Sequence, residues 1–397
     1  MAERQTRRRY LATLGVVGAA GLAGCSGGAD SPPPADEAAI PADIGTWPTF
    51  GHDAANTGTA PQEVGPTRSL VVQWRATIED RVVASPAVVD GTVYVGSDDD
   101  AVHALSAVDG GEQWRFETGH IVRGSPAVAD GTVYAGSHDG YVYALAAADG
   151  SLVWQFEAGQ STNPLVDSQA VEAAPTVVDG TVYVGSNNDR VYALSAVDGT
   201  VEWQYETGGR IRTATAVADG TVYAGSRDER VYALSASGGE KQWQTRVGDA
   251  VTAAPAVADG TVYVGTDAGE VVALSATDGT EQWRFGAEET VAASPAVDGE
   301  RVYVGSDDET VYALSAVDGT VEWQYETAGA VQSSPAVVGG KVYVGSRDAT
   351  LYILGAADGA LQYRVPLAGS VVSGPAVVDN VVYTTSVDGS VFGLRAP

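Results

Sequence analysis

The seventeen residues Val191–Thr207, VYALSAVDGTVEWQYET, return unchanged as Val311–Thr327. A reaction centre needs different groups at different places, so verbatim repetition specifies a structural unit. Two markers measure that unit. VYxGS or a close copy begins at Val93, Val133, Val182, Val222, Val262, Val302 and Val342, and as VYTTS at Val382. Trp74, Trp114, Trp154, Trp203, Trp243, Trp283 and Trp323 form a second series that Tyr363 completes. Both series count eight with a step of 40, broken once by a step of 49, so eight units and one nine-residue insertion fill Ser69 to Pro397.

Each unit reads as four short strands, in the first case VVASPAVVD, GTVYVGS, AVHALSAVD and EQWRFET. Asp-Gly pairs such as Asp90-Gly91 mark hairpins, because Gly accepts the positive φ of a tight turn. Proline donates nothing to a ladder, so Pro86, Pro126, Pro175, Pro255, Pro295, Pro335 and Pro375 place the first strand at a sheet edge, the one lining a central channel. The middle strands are apolar on both faces, as expected of sheets sandwiched between sheets. The fourth alternates, with Val201, Trp203 and Tyr205 to one side and Glu202, Gln204 and Glu206 to the other, the mark of a half-solvated outer strand. A lone fourth-type strand around Trp74 opens the repeat region, and three strands end it. The loose strand completes the last blade and leaves no open edge. The expectation is all-β: an eight-bladed β-propeller of four-stranded antiparallel blades over residues 69–397, its ring closed by the N-terminal strand near Trp74.

Ahead of the repeats stands MAERQTRRRYLATLGVVGAAGLAGC. Thr6 to Leu11 resembles the twin-arginine export signal, and the apolar run Leu11 to Leu22 is too short to span a bilayer. Leu22, Ala23, Gly24 and Cys25 resemble a lipoprotein cleavage box, whose cysteine takes a lipid and becomes the new N-terminus. Cys25 is the only cysteine, so no disulfide forms within one chain. Residues 1–24 therefore read as a twin-arginine-type lipoprotein signal peptide. Residues 25–45, rich in Gly, Ser, Pro, Ala and acids, read as a flexible lipid-anchored tether. Residues 46–68 read as a lead-in packed on the propeller. The expected location is the outer face of the cytoplasmic membrane, with membrane lipid as a partner through Cys25.

Acidic residues outnumber basic ones 51 to 22, for a net charge of -29. Such a surface repels polyanions, which excludes nucleic acid as a partner. Disorder is excluded as well, by 44% hydrophobic content in periodic runs. Self-repulsion on this scale is tolerable where concentrated salt screens it. With lysine confined to Lys241 and Lys341, the composition suggests an extreme halophile, a haloarchaeon.

The unit LSAVDGTVEW, with Ala196, Gly199 and Trp203 in fixed places, resembles the quinoprotein-type propeller repeat, and the likeness runs over residues 85–397. The segment WPTFGHDAANTG, Trp47 to Gly58, resembles the lead-in of such proteins. That family includes pyrroloquinoline quinone (PQQ) dehydrogenases and the non-enzymatic scaffold lipoprotein of the bacterial outer-membrane assembly machine. Ser195 and Asp198 stand where the family often has Asp and Thr. No calcium ligand or catalytic base transfers residue by residue, and the repeated Trp reads as packing between blades rather than cofactor stacking. No catalytic residue, metal site or cofactor is expected, and PQQ with calcium lacks a residue-level match. The resulting reading is a monomeric, lipid-anchored surface propeller acting as a protein-interaction scaffold. The alternatives are a PQQ-dependent dehydrogenase and a surface glycan-binding protein.

Function in a repeat protein concentrates where the units differ. The insertion lies within Gly159 to Pro175, between the fourth strand of one blade and the first of the next, on the same face as the turns between second and third strands. That face supplies the candidate interaction residues His120, Arg123, Asn163, Asp167, Glu172, Asn187, Asn188, Arg210 and Arg212, with Asp249, Glu288 and Glu289 also at the channel mouth. Clustered arginines in an acidic protein either grip a carboxylate or phosphate or serve as internal counter-ions. His52, His103, His120 and His138 show no metal-ligand spacing, and Asp98, Asp99 and Asp100 read as a solvated acidic turn in preference to a calcium site.

Overall fold

In the computed structural model, residues 40, 44–60, 63, 65–66, 69–158 and 170–397 are described. Cys25, Asn163 and Asp167 lie outside them. Eight four-stranded antiparallel sheets form the wheel. The first blade runs Ala87–Val89, Thr92–Ser97, Ala101–Ser106 and Glu112–Glu117, hydrogen-bonded in that order. Later blades begin at Ala127, Thr176, Ala216, Ala256, Ala296, Ala336 and Ala376. The inner strand has only three residues and starts directly after the proline. Its nine-residue segment is thus mostly connection, and proline marks the threshold of the ladder. Blade four has Thr215 at that place, where its carbonyl accepts from the Thr176 hydroxyl of blade three at 2.7 Å.

Between blades lie the cores. Val93, Val95 and Val102 and their repeats are fully buried, because each sheet is covered on both faces. In the outer strand the two-residue alternation holds from Trp203 onward and fails at Val201. Ala193 pairs with Trp203, but Leu194 pairs with Val201, so a β-bulge leaves Glu202 out of register. Val201 is turned outward, 44% exposed.

Each outer-strand tryptophan has a socket in the next blade. The Trp203 Nε1–H donates to the Ala236 carbonyl at 2.8 Å, and its indole lies on Gly239, where an added Cβ would stand 2.7 Å from the ring. Alanine and glycine both belong to the turn joining the third and fourth strands. In blade eight no such turn exists, because its third strand Ser390–Arg395 takes Val71–Thr77 as its fourth. Position 363 therefore lacks the alanine–glycine turn that receives the tryptophans, and a tyrosine stands there, packed against the core. Trp203→Phe, which strips one of the two hydrogen bonds from a partly buried carbonyl that Tyr183 also reaches at 3.2 Å, should cost about 1 kcal/mol in chemical denaturation. Tyr363→Trp should gain nothing in the same measurement.

The Val71–Thr77 strand seals the ring, from Val71 opposite Arg395 to Thr77 opposite Ser390. Trp74 donates to Ala107 of blade one at 2.9 Å, and Arg75 reaches Ser390 and Asp388 at 2.9 and 3.1 Å. The deviant motif VYTTS belongs to this seam: Thr385, where other blades have glycine, donates to the Ala84 carbonyl of blade one at 3.0 Å.

Residues 47–60 wind round one mouth of the hub as a belt. Trp47 exchanges two hydrogen bonds with Val88, at 2.7 and 2.8 Å. The carbonyls of Pro48, Ala54, Ala55, Thr57 and Gly58 then accept from the N–H groups of Val128, Val217, Val257, Val297 and Val337, at 2.6 to 2.9 Å. One segment thus caps the middle residue of the inner strand in blades one, two, four, five, six and seven. Asn56 reaches inward and donates to the Thr215 and Pro255 carbonyls at 3.1 and 3.0 Å. Phe50 packs on Ala174, Ala214 and Ala254.

His52 in this belt sits edge-on to Trp47, ring centroids 4.7 Å apart. Burial lowers its pKa, against the opposing pull of Asp53 and Glu63. A histidine depressed in the folded state stabilises fully above its unfolded pKa, about 6.5, and that stabilisation drains as pH falls below it. As pH falls from 7 to 5, hydrogen exchange at the Val88, Val217 and Val257 amides should slow by less than the intrinsic, base-catalysed rate does. His52→Asn, which tolerates the positive φ of 73° there, should abolish that difference.

Candidate functional site

The connection into each inner strand is locked before it reaches the hub. Its buried aliphatic residue, such as Val171 or Val251, lies against the glycine of the preceding blade's VYxGS. A Cβ on Gly136 or Gly225 would stand 2.5 Å from that side chain, so glycine is required there by close approach. The residue that follows lines the hub: Val83, Arg123, Glu172, Arg212, Thr252, Ala292, Gln332 and Val372, one from each blade. Two positions on lies a second ring of small residues, whose serines tie blade to blade. Ser125 Oγ accepts from the Ser85 N–H at 2.9 Å, and Ser85 Oγ accepts from Gly374 at 2.8 Å. Ser334 Oγ accepts from Ser294 at 3.0 Å, and Ser294 Oγ from Ala254 at 2.8 Å. With Phe50 as floor, the two rings enclose a cup of about 200 Å³.

A further polar ring surrounds the cup. The residue after VYxGS in one blade meets the hub residue of the next. Arg123 grips Asp98 with Nε and Nη2 at 2.8 and 3.0 Å, and Arg81 joins the same carboxylate at 2.6 Å. Burial works to raise the Asp98 carboxyl, but hydrogen bonding and charge from Arg123, with Arg81, outweigh it and hold the group below its usual range. Glu172 lies 3.4 Å from His138 and 3.2 Å from Arg212. Arg212 Nε also donates to Asn187 at 3.3 Å, and Gln332 donates to Asp307 at 2.8 Å.

The positions expected from sequence fall in three places. Arg123, Glu172 and Arg212 come together around the cup, with Asn187 buried behind Arg212. His120 and Arg210 stand outside it. The exposed His120 ring stacks on His138 with centroids 6.0 Å apart, and Arg210 is half-buried, its carbonyl accepting from the Arg227 N–H at 3.0 Å. Asn188 is buried and bonded inward, donating to the Tyr192 hydroxyl at 2.7 Å and to the Ala158 carbonyl.

The acidic run needs correction. The side chains of Asp98 and Asp99 are only 4% and 6% exposed, held by arginine and by His103 at 3.0 Å respectively, so this is no merely solvated turn. Sequence reasoning missed Phe50, Thr213, Thr252 and Gln332, and named Asp98 only as part of a solvated turn. A signal for the rim pairs existed: Asp98 and Arg123, Asn187 and Arg212, and Asp307 and Gln332 are each 25 apart, and His138 and Glu172 are 34 apart across the nine-residue insertion.

A family model described as outer membrane protein assembly factor BamB matches residues 71–174, 166–254, 227–334 and 326–396. Comparison with curated proteins finds no match. Among solved structures, BamB from Moraxella catarrhalis is similar over 82% of this chain and 98% of its own, at 21% identity and a TM-score of 0.69. The computationally designed Ika8 protein is similar over 84% of this chain and all of its own, at 18% identity and a TM-score of 0.70. Quinohemoprotein alcohol dehydrogenase from Comamonas testosteroni is similar over 88% of this chain and 80% of its own, at 17% identity and a TM-score of 0.75. At such identities the likeness is one of fold.

A quinone with a bound cation does not fit this hub. The cup is smaller than the about 300 to 1,000 Å³ usual for cofactor-sized ligands. Its four serine oxygens are committed to backbone N–H groups of neighbouring blades. Among the described residues, no three His, Cys, Asp or Glu side chains are grouped so as to hold a metal ion.

Proposed function

This chain belongs to the outer membrane protein assembly factor BamB family, and from that premise we propose that it is a lipid-anchored, non-catalytic interaction scaffold on the outer face of the cytoplasmic membrane. The observation that carries the reading is the sidedness of the wheel. One mouth of the hub is stoppered by the belt, and the opposite face gathers what the repeat does not dictate: the rim pairs and the His120–His138 stack. A rigid ring with one non-repeating polar face suits the docking of a protein partner. Cys25 is the proposed lipid attachment, and the residues between it and Ile40, which is buried against the wheel, are the proposed tether to the bilayer. A net charge of -29 suits a host living in brine.

Two measurements test the proposal. Cys25→Ser should release the protein from the membrane fraction into the medium. A photo-crosslinking side chain at Arg210, on the rim face, should capture protein adducts in native brine. The same group at Val317, 80% exposed in a third-to-fourth-strand turn, should not. Equal capture at both positions, or lipid adducts alone, would overturn the scaffold reading.

A further inference from the structure

We propose that the hub cup is a binding site for a small organic monocarboxylate with an apolar body, a site independent of the scaffold reading. The ring of hub residues is two-sided. Arg123, Glu172, Arg212 and Thr252 make one continuous arc through blades two to five, whereas Ala292, Val372 and Val83 face it across the axis above Phe50; Gln332, between Ala292 and Val372, has its amide engaged by Asp307 and Arg347. A ligand filling the cup must be polar at one end and apolar at the other.

The polar arc has hydrogen-bonding capacity to spare. The hydroxyls of Thr213 and Thr252, in the wall of adjacent blades, are buried and have no hydrogen-bond partner among the described residues. Buried hydroxyls are seldom left so, and each such case calls for a partner. Arg123 spends Nε and Nη2 on Asp98, which leaves Nη1 uncommitted. The charge of Glu172 is already met by Arg212 at 3.2 Å, with His138 beside it. The unmatched groups are therefore one guanidinium edge and, once their side chains turn toward the cup, two hydroxyls, a set that serves a carboxylate through charge-assisted bonds. Glu172 disfavours a second carboxylate on the same ligand. A volume of about 200 Å³, that of roughly seven waters, accommodates an acid of a few carbons and excludes a fused tricyclic quinone. Each methylene moved onto the apolar arc should tighten binding about fourfold until the cup is full.

The test is calorimetric titration of the full chain with butanoate, hexanoate, hexylamine and succinate, with pyrroloquinoline quinone in parallel. Hexanoate should bind once per chain and more tightly than butanoate, while hexylamine and succinate should not saturate. The isosteric double variant Thr213→Val/Thr252→Val should weaken hexanoate at least tenfold at an unchanged melting temperature. Should that variant misfold, Arg123→Gln, which leaves Arg81 on Asp98, carries the same expectation. No saturable hexanoate binding, equal binding by the variant, or preference for hexylamine or the quinone would overturn the assignment. None of these results bears on the crosslinking test of the scaffold.

Discussion

Deletion of residues 69–78 should lower the melting temperature by about 10 °C or more and make the protein self-associate. The deletion removes a whole fourth strand, and with it the buried Trp74, its hydrogen bond to Ala107 and the Arg75 contacts to Ser390 and Asp388. Losing a buried tryptophan alone costs about 3 to 5 kcal/mol, and each kcal/mol shifts the midpoint of a large domain by about 2 to 4 °C. The Ser390–Arg395 strand would then present an unpaired ladder beside Val391, Phe392 and Leu394, a template for pairing with another chain. Differential scanning calorimetry with size-exclusion chromatography checks both halves. An unchanged midpoint would refute the closing role of this strand.

Asn56→Ala should cost about 3 kcal/mol, more than any single substitution in a tryptophan socket short of truncation. Asn56 is 2% exposed and holds two carbonyls, Thr215 and Pro255, from different blades. Leaving buried acceptors unpaired costs about 1 to 3 kcal/mol. The backbone adds its own term, because Asn56 has a φ of 54°, a left-handed conformation that asparagine tolerates and alanine enters at about 1 to 2 kcal/mol. Asn56→Gly separates the two: it relieves the backbone while still losing both hydrogen bonds, so it should fall between wild type and alanine in urea denaturation. Faster exchange at the Val217 and Val257 amides should accompany both variants, and wild-type stability in Asn56→Ala would remove the belt from the list of structural necessities.

The wheel was legible because periodicity is a global signal. A step of 40 repeated through two independent markers leaves few architectures, and a lone Trp74 strand at one end matched to three strands at the other defines the seal. The sockets show what the same signal hides. Tyr363 is a visible exception in the tryptophan series, yet its cause is topological: the turn it would dock on is missing from blade eight. Val201 misled because a bulge adds a residue to the pleat, and Asn188 because a turn residue can bond inward as well as outward. Arg123, Glu172 and Arg212 could be placed on one rim by counting units. Thr213 and Thr252 could not be singled out, since a hydroxyl lacks a partner only in three dimensions. The belt was legible only as a lead-in packed on the propeller: its twelve letters WPTFGHDAANTG occur once, and its bonds depend on the circumference that eight blades set.

That last dependence bears on how such a chain persists through evolution. A gene assembled from near-identical modules readily gains or loses a copy by misaligned recombination, and each blade is separately competent to stack on its neighbours. The belt is made once, to one length, with its carbonyls spaced for one particular hub. A seven- or nine-membered descendant would leave it out of step with the inner strands and its asparagine without the two carbonyls it spans. The unrepeated segment thus acts as a gauge of copy number, selecting against recombinants that the blades alone would tolerate.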